Sequence, residues 1–182
     1  MFKKIKNILD DNVFNNVKQE VCSNEFPWFY TSNSASPKED TNKNKNFSFY
    51  HTTLNEGNPN SFFNEKTKEI AEIMKKKFKL DNYTITRLRW GMTTNSNKKI
   101  INEPHIDMKA KHMVILYYLN ESDGNTYFYD NDTQIINSNE PEENSAILFD
   151  GSLKHSSSKP YMYDRRIVLN INLQNHNTFK KE

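Results

Sequence analysis

The period of the hydrophobic pattern changes near residue 80. Upstream, Lys3 to Val21 carries apolar residues at Ile5, Ile8, Leu9, Val13 and Val17, a loose helical spacing. Phe26-Pro27-Trp28-Phe29-Tyr30 is a dense aromatic patch. Thr31 to Asn46 holds Ser, Asn, Lys and Asp with one Pro and reads as a loop. Phe47 to Leu54 fits a short strand. Ser61 to Leu80 is the strongest helix prediction: Phe62, Phe63, Ile70, Ile73, Met74 and Phe78 form one stripe, with Lys and Glu elsewhere. Downstream the pattern turns to strands at Tyr83–Trp90, His112–Asn120, Asn125–Asp130 and Ser145–Asp150. Arg165 to Gln174 alternates cleanly, with Ile167, Leu169, Ile171 and Leu173 on one face and Arg166, Val168, Asn170 and Asn172 on the other. Short strands joined by Asp-Gly and Pro turns predict a mostly β sandwich or barrel. The two helices then cover the outer face of one sheet, Ile73 and the rest of the stripe packing against the Ile167–Leu173 face. The expected organisation is a single domain over 1–182. Residues 1–80 form a helical and loop support region, and 83–174 form the β core. No internal repeat is visible.

Composition narrows the function classes. The 182 residues suffice for one domain with a real core. Hydrophobic residues make up only 35%, but twelve Phe, nine Tyr and two Trp supply core area that the aliphatics do not. Twenty-five basic against 23 acidic residues leave a net charge of +2, which is no electrostatic footprint for nucleic acid or an anionic membrane. The abundant, scattered Asn reflects an AT-rich genome rather than a prion-like tract. The single cysteine, Cys22, excludes an internal disulfide and a cysteine-rich zinc site. No apolar run approaches the roughly 20 residues of a membrane span, and no signal-peptide core is present. The expectation is a cytoplasmic protein without a membrane partner.

The chemistry concentrates in His105, Asp107 and His155. His105 and Asp107 lie two apart, and on a strand such positions share a side. His155 follows about 50 residues later, after Phe149-Asp150-Gly151. Two imidazoles and one carboxylate on one face of an octahedron form the ligand set of non-haem Fe(II) oxygenases. By itself His-x-Asp is equally well a polar strand face. Eleven residues beyond His155, however, Arg166 sits on the alternating strand, where a cation can hold the far carboxylate of a dicarboxylic cosubstrate.

In this order the residues resemble the 2-oxoglutarate and Fe(II)-dependent oxygenases of the prolyl-4-hydroxylase-like branch, in particular small members encoded by bacteriophages. The resemblance spans about residues 83 to 174. It runs through Leu88-Arg89-Trp90-Gly91, Pro104-His105-Ile106-Asp107, Tyr117-Tyr118-Leu119-Asn120 and Ser122-Asp123-Gly124-Asn125-Thr126. It continues with Phe149-Asp150-Gly151, His155 and Arg166-Ile167-Val168-Leu169-Asn170. Phe26 to Tyr30 extends it weakly toward the N-terminus. It implies a double-stranded β-helix (jelly-roll, cupin-like) core with the N-terminal helices on one sheet. It implies iron held by His105, Asp107 and His155, and 2-oxoglutarate held at its distal carboxylate by Arg166 and Tyr118. Asn170 would line the pocket, and Trp90 would stand where the family often has a Tyr near the cosubstrate. The implied reaction uses Fe(II), 2-oxoglutarate and O2 to hydroxylate a substrate, a protein or peptide side chain being favoured over a nucleobase or small molecule. A phage-encoded member would work in the host cytoplasm.

Neighbouring residues receive plainer readings. Arg165 shares a face with Ile167, so Arg166 rather than Arg165 should enter the pocket. His112 is expected to face solvent or substrate, and His51 and His176 to lie on the surface. Cys22 is expected to be a small buried hydrophobe, and Lys75-Lys76-Lys77 a solvated helix face. Thr31–Asn46 and Asn95–Asn102 are placed to border the site as a lid or peptide groove. Two other classes fit the same residues: a jelly-roll binding module with a vestigial metal site, and a cupin-type metal enzyme without 2-oxoglutarate.

Overall fold

The structure, a computed structural model, describes residues 2–32, 47–130 and 134–175. In chain order the elements are β1 (Phe2–Ile5), α1 (Asp11–Val21), β2 (Phe29–Thr31), β3 (Ser48–Asn55), β4 (Asn58–Pro59), α2 (Asn64–Lys77) and β5 (Tyr83–Thr94). There follow β6 (Met113–Tyr118), β7 (Thr126–Asp130), β8 (Gln134–Asn139), β9 (Ser145–Asp150), β10 (His155–Ser157) and β11 (Arg165–Asn175). The larger sheet runs β1-β9-β6-β11-β5-β3-β2, with β4 attached to β3, and the smaller runs β10-β7-β8. Every pairing between strands is antiparallel. The two sheets enclose an inner layer and the helices cover the outside, which is the jelly-roll arrangement with helices on one sheet. Among the described residues no helix is long and apolar enough to cross a membrane.

Strand alternation sorts the side chains into two cores. Ile167, Leu169, Ile171 and Leu173 of β11 pack on the helix side with Leu88, Ile115, Tyr117, Leu148, Met74 and Ile70. The opposite positions, Val168 with Val114, Leu116, Tyr118, Ile147 and Phe149, face Phe128 of the smaller sheet. Thus one strand builds the structural core with one face and the interior of the sandwich with the other.

The helical stripe is shorter than the sequence predicts. α2 begins at Asn64, so Phe62 precedes it and is 87% exposed. The buried face of α2 is Thr67, Ile70, Ala71 and Met74, whereas Ile73 is only partly buried. Lys75, Lys76 and Lys77 complement the dipole at its C-terminus. Lys79, at φ 61°, then takes the left-handed conformation and closes the end with backbone bonds from Lys79 to Lys76 and from Leu80 to Lys75.

The N-terminal third is less helical than expected. Ile5 belongs to β1, which pairs along β9 in the register Phe2–Phe149 to Ile5–Ala146. Only Asp11–Val21 is helix, and β2, β3 and β4 also precede residue 80. β3 is the strand expected over Phe47 to Leu54, whereas β1, β2 and β4 are three further strands of the larger sheet in a region expected as helix and loop. Asn144, at φ 53°, ties this segment down: its side chain accepts from the Leu9 N–H and donates to the Leu9 carbonyl, at 3.1 and 2.8 Å.

The phase of α2 makes a direct stability test. Met74 is 0% exposed beneath the helix. Met74→Ala should cost about 2–5 kcal/mol, the range for truncating a buried side chain of this size. Ile73→Ala should cost clearly less. Urea unfolding of the two variants checks this, and an equal loss would put the buried face elsewhere.

Candidate metal centre

The residues that the sequence singles out converge. One ligand atom each from His105, Asp107 and His155 lies within 4.8 Å of the other two. A single antiparallel bridge, with backbone bonds of 3.0 and 2.9 Å in both directions, pins His105 to His155. β10 simultaneously pairs His155 with Phe128 of β7, so His155 is locked between two neighbours. Each ring is oriented in the same way: Nδ1 of His105 donates to the Glu103 carbonyl at 3.2 Å, and Nδ1 of His155 to the Leu153 carbonyl at 3.1 Å. A carbonyl can only accept, so the proton sits on Nδ1 and the Nε2 lone pair is left for a metal. This donor set fits a divalent transition metal.

Asp107 is held more tightly than either histidine. Nδ2 of Asn170 and of Asn172 donate to its Oδ2 at 2.9 and 3.0 Å, and the Arg87 guanidinium lies 3.4 Å from Oδ1. Burial alone would raise the carboxyl pKa. The opposing fields of His155 and Arg87 and the two amide hydrogen bonds outweigh burial and hold it well below the ordinary carboxylate range. Burial pushes His155 down, so its imidazole is neutral at neutral pH and becomes a cation beside Asp107 only in acid. At neutral pH Arg87 and the two asparagines therefore carry the load.

A cavity of about 170 Å³ runs inward from these residues between the sheets. At its inner end lies Arg166, 5% exposed, whose Nη2 donates to Thr126 Oγ1 at 2.9 Å. The Tyr118 hydroxyl shares the same Thr126 oxygen, also at 2.9 Å. Burial pushes the Tyr118 phenol up, which keeps it protonated and able to donate. Arg166 Nε has no partner, and among the described residues no carboxylate comes within ion-pair distance of this guanidinium. An unpaired buried cation is costly unless an anion joins it. Gly124 lets the chain close over this point, since a Cβ there would stand 2.8 Å from the Ser158 carbonyl and 2.9 Å from Arg166 Cδ.

Arg165 is exposed, so the alternation places the two arginines as read from sequence. Asn170 borders the cavity, but its amide is spent on Asp107. Trp90 needs correcting. It lies on the other face of β5, 1% exposed in the helix-side core, with its Nε1–H on Thr67 Oγ1 of α2 at 3.3 Å. Arg89 and Gly91, its sequence neighbours, face the cavity instead. His112 is buried rather than solvent-facing, its ring filling the space that Gly151 leaves. His51 is buried among Phe26, Phe29 and Phe63. Cys22 is only half-buried. Residues 33–46 and His176 fall outside the described residues. Asn95–Asn102 is pinned by backbone bonds to Asp164, Pro160 and Ser157, and reaches the cavity through Asn102.

Sequence reasoning assigned no role to Arg87, Asn172 or Thr126. Arg87 was readable from the alternation of Arg87 and Arg89 with Leu88 and Trp90. Thr126 depends on a contact across the sandwich.

With this geometry in view, comparison with solved structures defines the class of fold. A 2OG-Fe(II) oxygenase family oxidoreductase from Burkholderia pseudomallei superposes with a TM-score of 0.70 at 10% identity, over 96% of this chain and 85% of that one. A prolyl hydroxylase from Trichoplax adhaerens, solved with a hypoxia inducible factor peptide fragment, gives 0.67 at 16% identity, over 100% and 87%. The viral collagen prolyl hydroxylase of Paramecium Bursaria Chlorella virus-1, solved with 2OG, gives 0.56 at 12%, over 96% and 95%. The chain thus has the fold of the 2OG-Fe(II) oxygenases, prolyl hydroxylases among them. No protein-family model matches the sequence, and no curated protein is significantly similar to it.

The hold on Asp107 predicts a pH dependence. A carboxyl held below its ordinary value of 3.8 contributes stability that is complete above that value and is lost as pH falls below it. The stability gap between the wild type and Asp107→Asn, measured by urea unfolding without added metal, should therefore be at full size down to about pH 4 and narrow as the pH falls further. A gap independent of pH would mean that Asp107 is not held as an ion.

Proposed function

We propose that this protein is a 2-oxoglutarate- and Fe(II)-dependent dioxygenase that hydroxylates a protein or peptide side chain. One observation carries the reading. A cavity between the sheets has two imidazoles and a carboxylate at one end and, at the other, a buried guanidinium with no counter-ion among the described residues. His105, Asp107 and His155 would hold the iron. Bound there, iron would couple decarboxylation of 2-oxoglutarate by O2, giving succinate and CO2, to insertion of the second oxygen atom into a substrate C–H bond.

The chain's own residues do the positioning. Arg166 receives the distal carboxylate of 2-oxoglutarate as a charge-assisted pair, and Tyr118 and Thr126 donate beside it. Asn170, Asn172 and Arg87 keep Asp107 ionised and oriented, while the backbone carbonyls of Glu103 and Leu153 fix the tautomer of both imidazoles. Leu116 and Val168 line the cavity and limit water around the reacting atoms. A peptide substrate is supported by the likeness in fold to prolyl hydroxylases, one of them solved with a peptide.

The test begins without oxygen. Fe(II) and 2-oxoglutarate added to the pure protein should give a metal-to-ligand charge-transfer band, and admitting oxygen should then release succinate. His155→Ala and Asp107→Ala should abolish both, and Zn(II) should inhibit. Losing a charged partner in a poorly solvated pocket costs about 2–5 kcal/mol. At tenfold per 1.4 kcal/mol, Arg166→Ala should raise the 2-oxoglutarate requirement by tens to thousands of fold. Tyr118→Phe should raise it less and Arg165→Ala hardly at all. Full succinate formation by His155→Ala would overturn the assignment.

A further inference from the structure

We infer that Arg89, stacked on Tyr50, is a second anion subsite at the metal end of the cavity and receives a carboxylate of the substrate. The inference rests on the oxygenase reading and supplies a chemical class for its substrate.

β5 and β11 pair so that inward positions face each other: Arg166 with Thr93, Val168 with Gly91, Asn170 with Arg89 and Asn172 with Arg87. Arg166 and Arg89 are thus separated by four residues of strand, about 13 Å at ~3.3 Å per residue. The first stands at the inner end. The second stands beside Asn170, whose amide holds Asp107. Arg87 already has Asp107 as its partner. Arg89 lines the cavity half-buried, and among the described residues it makes no hydrogen bond and no ion pair. Its guanidinium lies over the face of Tyr50, with Cζ 4.3 Å from the ring centroid.

The guanidinium carbon over the ring makes a cation–π contact that holds the side chain without using its N–H donors. Those donors stay available for a planar carboxylate in a two-pronged bond. Tyr50 is itself placed by the sheet, opposite Gly91 on β5. Burial disfavours the Arg89 charge most and Arg87, two residues away on the same face, repels it, while Tyr50 and Asp107 offset this only in part and Asp107 stays beyond ion-pair distance. On the oxygenase reading the cosubstrate's distal carboxylate pairs with Arg166 and its other carboxylate is taken by the metal, so a further anion at Arg89 comes with the substrate. An acidic side chain in a peptide and a small free carboxylic acid present the same group.

The experiment compares acids with their uncharged isosteres. Probes are N-acetyl-aspartate and N-acetyl-asparagine, and one blocked pentapeptide made with a central Asp or a central Asn. Binding is read by saturation-transfer NMR on the protein without iron, and by perturbation of the charge-transfer band in the anaerobic Fe(II)–2-oxoglutarate complex. At least one aspartate probe should bind the wild type tenfold or more tighter than its amide partner. The peptide pair alone would point to a protein substrate, and the acetylated pair alone to a small acid. Arg89→Ala should erase the preference and leave the 2-oxoglutarate midpoint within about twofold, and Arg89→Lys should retain part of it. Equal binding of acid and amide, or no binding of any probe, overturns the subsite. So does an Arg89→Ala midpoint shift like that of Arg166→Ala, which would give Arg89 to the cosubstrate. Absence of the band in the wild type sinks the oxygenase reading instead, while the NMR arm still decides whether Arg89 selects a carboxylate.

Discussion

The buried negative charge on Asp107 is the constraint around which the site is arranged. A carboxylate taken out of water is expensive unless each oxygen finds donors. Asn170 and Asn172 supply two amide donors from one strand, and Arg87 supplies a cation from the next. These three come from adjacent inward positions of β11 and β5, so the carboxylate is held by the centre of the larger sheet rather than by its own loop. The loop could not do this by itself, because Asp107 lies in a short irregular stretch whose fixed point is the bridge at His105. The sheet therefore positions the carboxylate, and the smaller sheet positions the imidazoles.

That division explains why β11 sits between β6 and β5 in the sheet order. Its outward face, Ile167 to Leu173, is anchored in the helix-side core and cannot shift. A one-residue slip would send Arg166, Asn170 and Asn172 into that core and the leucines into the cavity. Hydrophobic burial thereby enforces the register that the polar residues need. Precision at the site comes at no separate cost in this strand, since the same pairing satisfies both faces.

This is also why the strand was legible in the sequence. The alternation from Arg165 to Gln174 determines which face is wet, and separates Arg166 from Arg165 on that ground alone. Where the signal needs a distant partner it fails. β1 carries Ile5 in a spacing that fits a helix, and only pairing with β9 makes it a strand. β10 has three residues and no pattern, yet holds His155. Trp90 departs from expectation for a different reason: the family position implies a place near the cosubstrate, whereas the alternation of Arg87, Leu88, Arg89 and Trp90 points its ring away from the pocket. His112 follows a loop and His51 has no partner pattern, so nothing local announces burial, yet one ring fills the space that Gly151 leaves and the other sits among aromatic rings.

The charges along the inner face follow from the same alternation. An interior of this polarity would destabilise a sandwich whose purpose was only to be stable, because three guanidiniums and one carboxylate leave cations without partners. Arg87 is neutralised by Asp107, whereas Arg166 is merely hydrogen-bonded and Arg89 merely stacked. Both of the latter are oriented by neutral groups, Thr126 and Tyr50, that fix direction without consuming charge. A side chain held in place but not neutralised is preorganised for an anion: it loses little conformational freedom on binding and gains a full ion pair in poorly solvated surroundings. On the proposed function the two arginines are the fixed halves of ion pairs whose mobile halves arrive with the ligands, one at each end of the cavity.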